Sequence, residues 1–357
     1  MSPSPAVMSI LTRFLKNQVE KRPFLVDKIR RLAGNDRLNN APWYEDFCLW
    51  RARRLNNRRP WGTLRLNIET TLACNAQCTF CSRNSFPLSK GTMDQVLYEK
   101  IIREAHELGI REAILSIYGE PLLDARFLQR CRLADEAGLK ISFFTNGSLL
   151  KEDISRSLLD LPGLKAVNFS INAFSPQLYE RIMIGLQRNA VFANISKFLG
   201  LKTQFRNDIQ VTLSYVLFKK SLEEKNAFFA YFSRIPGVDK IYFPAIRNRG
   251  GTPLDIAMRG EEVAFSPLSK AGHRLLPCKF LWEDLFIYWD GTVGVCCEDS
   301  AARRIIVGDL KQQSLRQVWA GEKIRALREL HLSGRRRLHP ICGGKCTYNT
   351  AWFKPSD

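Results

Sequence analysis

No stretch of this chain is apolar for long. The longest early run, Ala6-Val7-Met8-Ser9-Ile10-Leu11-Thr12, stops at Arg13 and has no basic residue before it, which excludes a transmembrane helix and argues against a secretory signal. Acidic residues are scarce: 35 Asp and Glu face 54 Lys and Arg, a formal charge of +19. Histidine is scarcer still. His106, His273, His331 and His339 have no motif around them, so none is assigned chemistry. No internal repeat or low-complexity tract occurs. The absence of targeting signals leads to the cytoplasm as the expected location, where thiols stay reduced and clustered cysteines read as metal ligands or reactive groups before disulfides. With 357 residues and 45% hydrophobic content, the chain can bury one large core or two medium ones without disulfide staples.

The ten cysteines are unevenly spread. Cys74, Cys78 and Cys81 fall within eight residues, Cys278, Cys296, Cys297, Cys342 and Cys346 fall in the last eighty, and none stands between Cys131 and Cys278. Cys48 and Cys131 sit in helix-like surroundings and read as packing thiols.

Three segments are expected. Residues 1–62 form a basic helical extension, with helical patterns at Ile10 to Leu15, Phe24 to Leu32 and Trp43 to Leu55. Residues 11 to 60 hold thirteen Lys or Arg against five Asp or Glu. That excess suits a solvated arm and a surface meeting an anionic partner equally. Residues 63–252 alternate short apolar strands (Leu64 to Glu69, Glu112 to Tyr118, Leu139 to Thr145, Leu164 to Asn172, Ile209 to Leu217, Lys240 to Phe243) with amphipathic helices (Gln95 to Leu108, Leu123 to Ala137, Ser175 to Ile184, Ser221 to Ser233). Six such strands imply an α/β fold with a parallel sheet curled into a partial (β/α)6 TIM-like barrel, whose chemistry belongs at the strand C-termini. Residues 253–357 are cysteine-rich, with a hairpin turning at Asp290-Gly291 and a helix around Ser314 to Leu330.

The first motif is Cys74-Asn-Ala-Gln-Cys78-Thr-Phe80-Cys81, directly after the first strand. Three thiolates at this spacing can wrap one face of a cubane iron-sulfur cluster, each holding one iron, while the fourth iron stays open to a small molecule. The competing structure is a zinc knuckle with its fourth ligand elsewhere, which the lack of a nearby histidine disfavours.

In this position the motif resembles that of the radical S-adenosylmethionine (SAM) superfamily. Tyr118-Gly119-Glu120-Pro121 is similar to the family's glycine-glutamate motif, which implies that Gly119 and Glu120 engage the methionine amino group. Alone it would read as a turn, as would Asn146-Gly147 after the third strand. The resemblance also implies that Ser170 and Asn172, ending the fourth strand, lie near the SAM ribose and carboxylate, and that Phe80 flanks the cofactor. Tyr118 stands where the first glycine is usual. Met183 occupies a position where relatives often carry arginine, with Arg181 the nearby cation.

The later cysteines, with Trp289-Asp290-Gly291, Val307-Gly-Asp-Leu310 and Val318-Trp319 around them, resemble the SPASM or twitch extension of this superfamily. They are too few for a full two-cluster set. The resemblance therefore implies one auxiliary [4Fe-4S] cluster held by Cys278, Cys296, Cys342 and Cys346, with a structural zinc as the alternative. Cys297 either replaces Cys296 or remains a thiol able to return a hydrogen atom to substrate.

What the family implies is an oxidoreductase or epimerase. An external one-electron reductant such as flavodoxin or ferredoxin drives cleavage of SAM to a 5′-deoxyadenosyl radical, which takes hydrogen from a small polar, sugar- or cyclitol-like substrate. The net charge fits an anionic substrate. Alternatives are modification of a ribosomal peptide and, in another class, a zinc protein binding nucleic acid through its basic arm. Three cysteines without a fourth ligand disfavour the last.

Overall fold

A computed structural model describes residues 42–56, 61–86, 88–244, 276–343 and 346. The expected helices at Ile10 to Leu15 and Phe24 to Leu32 lie outside them. Trp43 to Leu55 forms helix α1 (Pro42–Asn56).

The first element after Leu64 is strand β1 (Arg65–Ile68), and five more parallel strands follow: β2 (Glu112–Ile114), β3 (Lys140–Thr145), β4 (Leu164–Ser170), β5 (Gln210–Ser214) and β6 (Lys240–Tyr242). Between them run helices α2 (Gln95–Leu108), α3 (Phe127–Glu136), α4 (Glu152–Leu159), α5 (Pro176–Ile182), α6 (Arg188–Phe205) and α7 (Lys219–Phe232). The strands lie in sequence order across the sheet. That singly wound order is the partial (β/α)6 barrel, because each parallel pair needs a helical crossover of constant hand.

Local chemistry explains where these elements start and stop. Asp94 caps α2, its carboxylate accepting from the Val96 and Leu97 amides at 2.9 and 3.1 Å. The helix buries Leu97, Tyr98, Ile101, Ile102 and Ala105 along one stripe. Such a cap is worth about 1 kcal/mol and the stripe supplies the tertiary anchor. In β4 and β5, Val167, Phe169, Val211 and Leu213 are buried. These apolar positions alternate with the polar Asn168 and Thr212, the period of two that places one set of side chains on each face of the sheet. Helix α5 is shorter than its pattern suggests, ending at Ile182, because Met183 and Ile184 leave the helix to pair antiparallel with Cys78 and Gln77.

The sheet does not stop at β1. Strand β7 (Asp284–Ile287) pairs parallel with it, and β8 (Thr292–Gly294) and β9 (Ile306–Asp309) extend the sheet antiparallel. A buried ion pair fixes the junction: Arg65 Nη2 lies 2.7 Å from Asp284 Oδ1, and Asn67 Nδ2 donates to the same oxygen at 3.0 Å. Helices α8 (Leu315–Trp319) and α9 (Glu322–Leu332) follow. The single helix expected over Ser314 to Leu330 is thus two, broken at Ala320-Gly321, with Ser314 and Gln317 forming the capping box of the first.

By their contacts the described residues form two compact units. One holds the residues from 61 to 244 together with 283–324, the other holds 42–56, 276–282 and 325–346. No helix among the described residues is long and apolar enough to cross a membrane.

Candidate functional site

Beyond the C-terminal end of β1 the chain enters the Cys74 to Cys81 loop. All three thiols are half-buried. Burial pushes the Cys78 thiol up strongly, and the neighbouring Cys81 and Cys74 add to it; Cys74 is also raised by burial. Unliganded, these two sulfurs keep their protons, so loading a metal must displace them. Phe80 is half-buried in the same loop.

Two glycines let other segments touch the loop backbone. Gly119 has φ +83°, and a Cβ there would stand 2.4 Å from the Thr71 carbonyl oxygen. Gly185, at φ +95°, would place a Cβ 2.7 Å from the Asn75 oxygen. Any larger residue would push the loop away. Arg83 braces it from within, donating to the Leu72 and Ala76 carbonyls at 3.1 and 3.0 Å.

Glu120 is almost fully buried. Its carboxylate accepts from the Thr145 hydroxyl at 2.7 Å, the Asn146 amide at 2.7 Å and the Leu122 amide at 3.3 Å. Burial outweighs these three donors and pushes its pKa up to about 7. Asn146 in turn donates to Asn75 of the cysteine loop at 3.0 Å. The two segments singled out as turns, at Glu120 and Asn146, are therefore one network with the cysteine loop.

A second chain of contacts leaves Cys78, whose sulfur lies 3.4 Å from Met183 Sδ. Asn172 Nδ2 also reaches Met183 Sδ at 3.4 Å, and Asn172 Oδ1 accepts from the Val216 amide at 3.0 Å. Asn172 takes a left-handed φ of 65°, a conformation asparagine tolerates better than most residues. Ser170 ends β4 opposite Ser214 and is half-buried. Met183 is buried and Arg181 exposed.

Sequence reasoning missed three features here. Tyr179 is wholly buried, its hydroxyl has no hydrogen-bond partner, and Cys78 and Glu120 are near enough to add to the upward push of burial on its pKa. Glu69 closes β1, is fully buried and pushed up to about 7 by burial, against the pull of Arg303. One of its oxygens contacts Arg303 Nη2 and accepts from the Trp289 amide at 3.4 Å; the other has no partner. The Thr70 hydroxyl next to it is likewise buried and unpartnered. Position after a strand was the available signal for Glu69 and Thr70, and none existed for Tyr179.

The remaining cysteines divide between the two units. Cys296 and Cys297 follow β8, and Cys297 Sγ lies 3.9 Å from the carboxylate of the buried Glu298. In the other unit, the Cys278 amide donates to His331 Nδ1 at 3.1 Å and the Cys342 amide to His339 Nδ1 at 3.2 Å. Burial lowers the His331 pKa to about 3, so it stays a neutral acceptor. Asp299 is buried and accepts from Arg304 and the Ile305 amide, both at 2.7 Å. Cys48 and Cys131 are fully buried.

The loop's donor set fits a cubane cluster. Its ligating atoms are three soft thiols, and unpartnered buried hydroxyl and carboxylate oxygens stand at the same sheet end. Among the described residues no three His, Cys, Asp or Glu side chains converge as a single metal ion would require. A cubane asks for less convergence, since each thiolate reaches its own iron.

Comparison with known proteins gives two family matches. The Radical SAM superfamily model matches residues 68–225, and the SPASM model, an iron-sulfur cluster-binding domain, matches residues 278–347. A probable GTP 3′,8-cyclase of Methanothermobacter marburgensis is 35% identical over 150 residues, 39% of this chain and 47% of that one. The chain thus spans about half the length of the first curated relatives it matches, or less. A tungsten-containing aldehyde ferredoxin oxidoreductase cofactor-modifying protein of Pyrococcus furiosus is 21% identical over 72% of this chain and 81% of its own. Among solved structures, Streptococcus suis SuiB bound to the precursor peptide SuiA superposes with TM-score 0.60 at 15% identity, covering 95% of this chain and 85% of that one. BtrN in complex with AdoMet and 2-DOIA gives 0.53 at 17% identity, covering 80% and 96%. At these identities the two structures show a shared fold.

Proposed function

Because the chain belongs to the radical SAM superfamily and carries a C-terminal SPASM domain, with a SAM-binding [4Fe-4S] cluster and an auxiliary cluster as its cofactors, we propose that it is an enzyme acting on a small polar, sugar- or cyclitol-like substrate to oxidise or epimerise it. The observation that carries this is the Cys74/Cys78/Cys81 loop at the end of β1, joined to Glu120 through Asn146 and Asn75. When bound, the cluster and SAM supply hydrogen abstraction from an unactivated carbon after one-electron reduction.

The chain's own residues hold and orient. Cys74, Cys78 and Cys81 ligate the SAM-binding cluster. Phe80, Gly119, Glu120, Ser170 and Asn172 form the SAM site, with Glu120 fixed in place by its three donors so that binding costs little reorganisation. Cys278, Cys296, Cys342 and Cys346 ligate the auxiliary cluster, an assignment that rests on their spacing and on the SPASM match. In an oxidative outcome these four residues would hold a group able to supply an acceptor for the substrate's second electron. In a redox-neutral outcome Cys297 would give a hydrogen atom to the substrate radical, and the resulting thiyl would return to thiol by taking one electron from the external reductant and one proton.

The functional division follows: residues 63–252 cleave SAM, residues 253–357 handle the second electron, and residues 1–62 are a basic extension. The net charge of +19 favours an anionic substrate, a phosphorylated or nucleotide-linked sugar. Flavodoxin or ferredoxin serves as reductant, and the reduced thiols suit the cytoplasm. Deuterated candidate substrates test this. Label from a sugar-class substrate should appear in 5′-deoxyadenosine; turnover with a peptide and none with any sugar would replace this function by peptide modification.

A further inference from the structure

Two of the C-terminal cysteine segments, those of Cys278 and of Cys342 and Cys346, meet one side chain. Arg336 is buried, with 1% of its surface exposed. Its Nε donates to the Cys342 carbonyl at 3.2 Å, Nη1 to the Leu276 carbonyl at 2.6 Å, and Nη2 to Cys346 Sγ at 3.3 Å. Leu276 lies two residues before Cys278, so Nη1 meets the Cys278 segment while Nε and Nη2 meet the segment that carries Cys342 and Cys346. His331 and His339 complete the arrangement by accepting from the Cys278 and Cys342 amides. Guanidinium is suited to this role: its planar donors keep fixed directions and it stays charged when buried.

We propose that Arg336 is a positioning residue that sets the reduction potential of the auxiliary cluster, through a charge-assisted hydrogen bond to the Cys346 sulfur. The inference rests on the auxiliary-cluster assignment above. The physical reason is simple. A hydrogen bond and a positive charge at a ligating sulfur stabilise the reduced, more negative cluster and raise its potential. The carbonyl contacts of Nε and Nη1 hold the plane of the guanidinium, and in that plane Nη2 reaches the Cys346 sulfur. A cluster tuned upward in this way is the better acceptor of a substrate's second electron.

The test uses the full chain carrying Cys74→Ala, Cys78→Ala and Cys81→Ala, so that only the auxiliary cluster remains. Iron content, the electron paramagnetic resonance spectrum and the midpoint potential are measured with Arg336, with Arg336→Gln and with Arg336→Lys. The neutral Gln variant should keep about four irons, with a lowered potential and altered g-values, and Lys should restore most of the shift. An unchanged potential in the Gln variant overturns the proposal. If Gln loses the cluster, Lys decides: a loaded cluster with altered g-values and a potential displaced from the Arg336 parent supports the proposal, whereas a loaded cluster with the parent's potential and spectrum, or loss of iron in both variants, makes Arg336 a structural clamp and overturns it. Failure of the underlying assignment looks different, because the parent triple variant would then hold no iron at all.

Discussion

Two arginines brace the two cysteine-bearing regions, and they stop at different atoms. Arg83 donates to the carbonyls of Leu72 and Ala76 in the first loop. Arg336 donates to two carbonyls and goes on to the sulfur of Cys346. The first three cysteines are neighbours in sequence, and local turns with the close approaches of Gly119 and Gly185 shape their loop. Cys278 and Cys342 are distant in the chain, so the long side chain of Arg336 ties their segments and His331 ties the Cys278 segment to α9, while His339 shapes the Cys342 turn locally. The difference matches the two roles proposed above, an open iron for SAM in the first loop and a fully capped cluster for electron transfer at the later cysteines.

The most disruptive break in this comparison is Cys342→Ala. It should cost about four of eight irons and abolish turnover while leaving SAM cleavage intact; unchanged iron content would remove Cys342 from the ligand set. Next is Asp284→Ala, which strands the Arg65 guanidinium at the β1–β7 junction. Loss of a buried partner of this kind costs about 3 kcal/mol, measurable by urea denaturation, and a cost under about 1 kcal/mol would mean that the junction does not depend on the pair. Arg83→Met should cost about 1–2 kcal/mol through its two charged-donor hydrogen bonds and lower iron occupancy of the first loop only. Loss of the auxiliary cluster instead would erase the contrast with Arg336.

The smallest effect is a pH slope. Glu69 is raised to about 7 from an ordinary 4.5, so the folded state holds its proton where the unfolded state releases it. Stability from this group is full below about pH 4.5 and is lost as pH rises to 7 and beyond. Glu69→Gln cannot ionise, and the variant's stability should fall less steeply over that window. Parallel pH profiles would show instead that Arg303 keeps Glu69 charged throughout.

Much of the barrel was legible because its signals are local. Apolar strands alternating with helices and the cysteine loop after β1 all mark themselves within a few residues. The hairpin around Asp290-Gly291 was legible too, but its parallel place beside β1 was not. A parallel partner leaves no turn between the strands, and Asp284 pairs with Arg65 across 219 positions. The same holds for the sites. Cysteine spacing marks candidate ligands, whereas the Glu69–Arg303 pair, the buried Tyr179 hydroxyl and the reach of Arg336 to Leu276 arise only when distant segments meet. His331 and His339 showed no motif because they serve backbone amides.

The central claim is that the Cys74/Cys78/Cys81 loop alone cleaves SAM. The direct measurement is 5′-deoxyadenosine formation, with iron analysis, in the anaerobically reconstituted protein carrying Cys74→Ala, Cys78→Ala and Cys81→Ala. The expected result is about four irons retained and no 5′-deoxyadenosine above background. Formation at the parent rate would contradict the account.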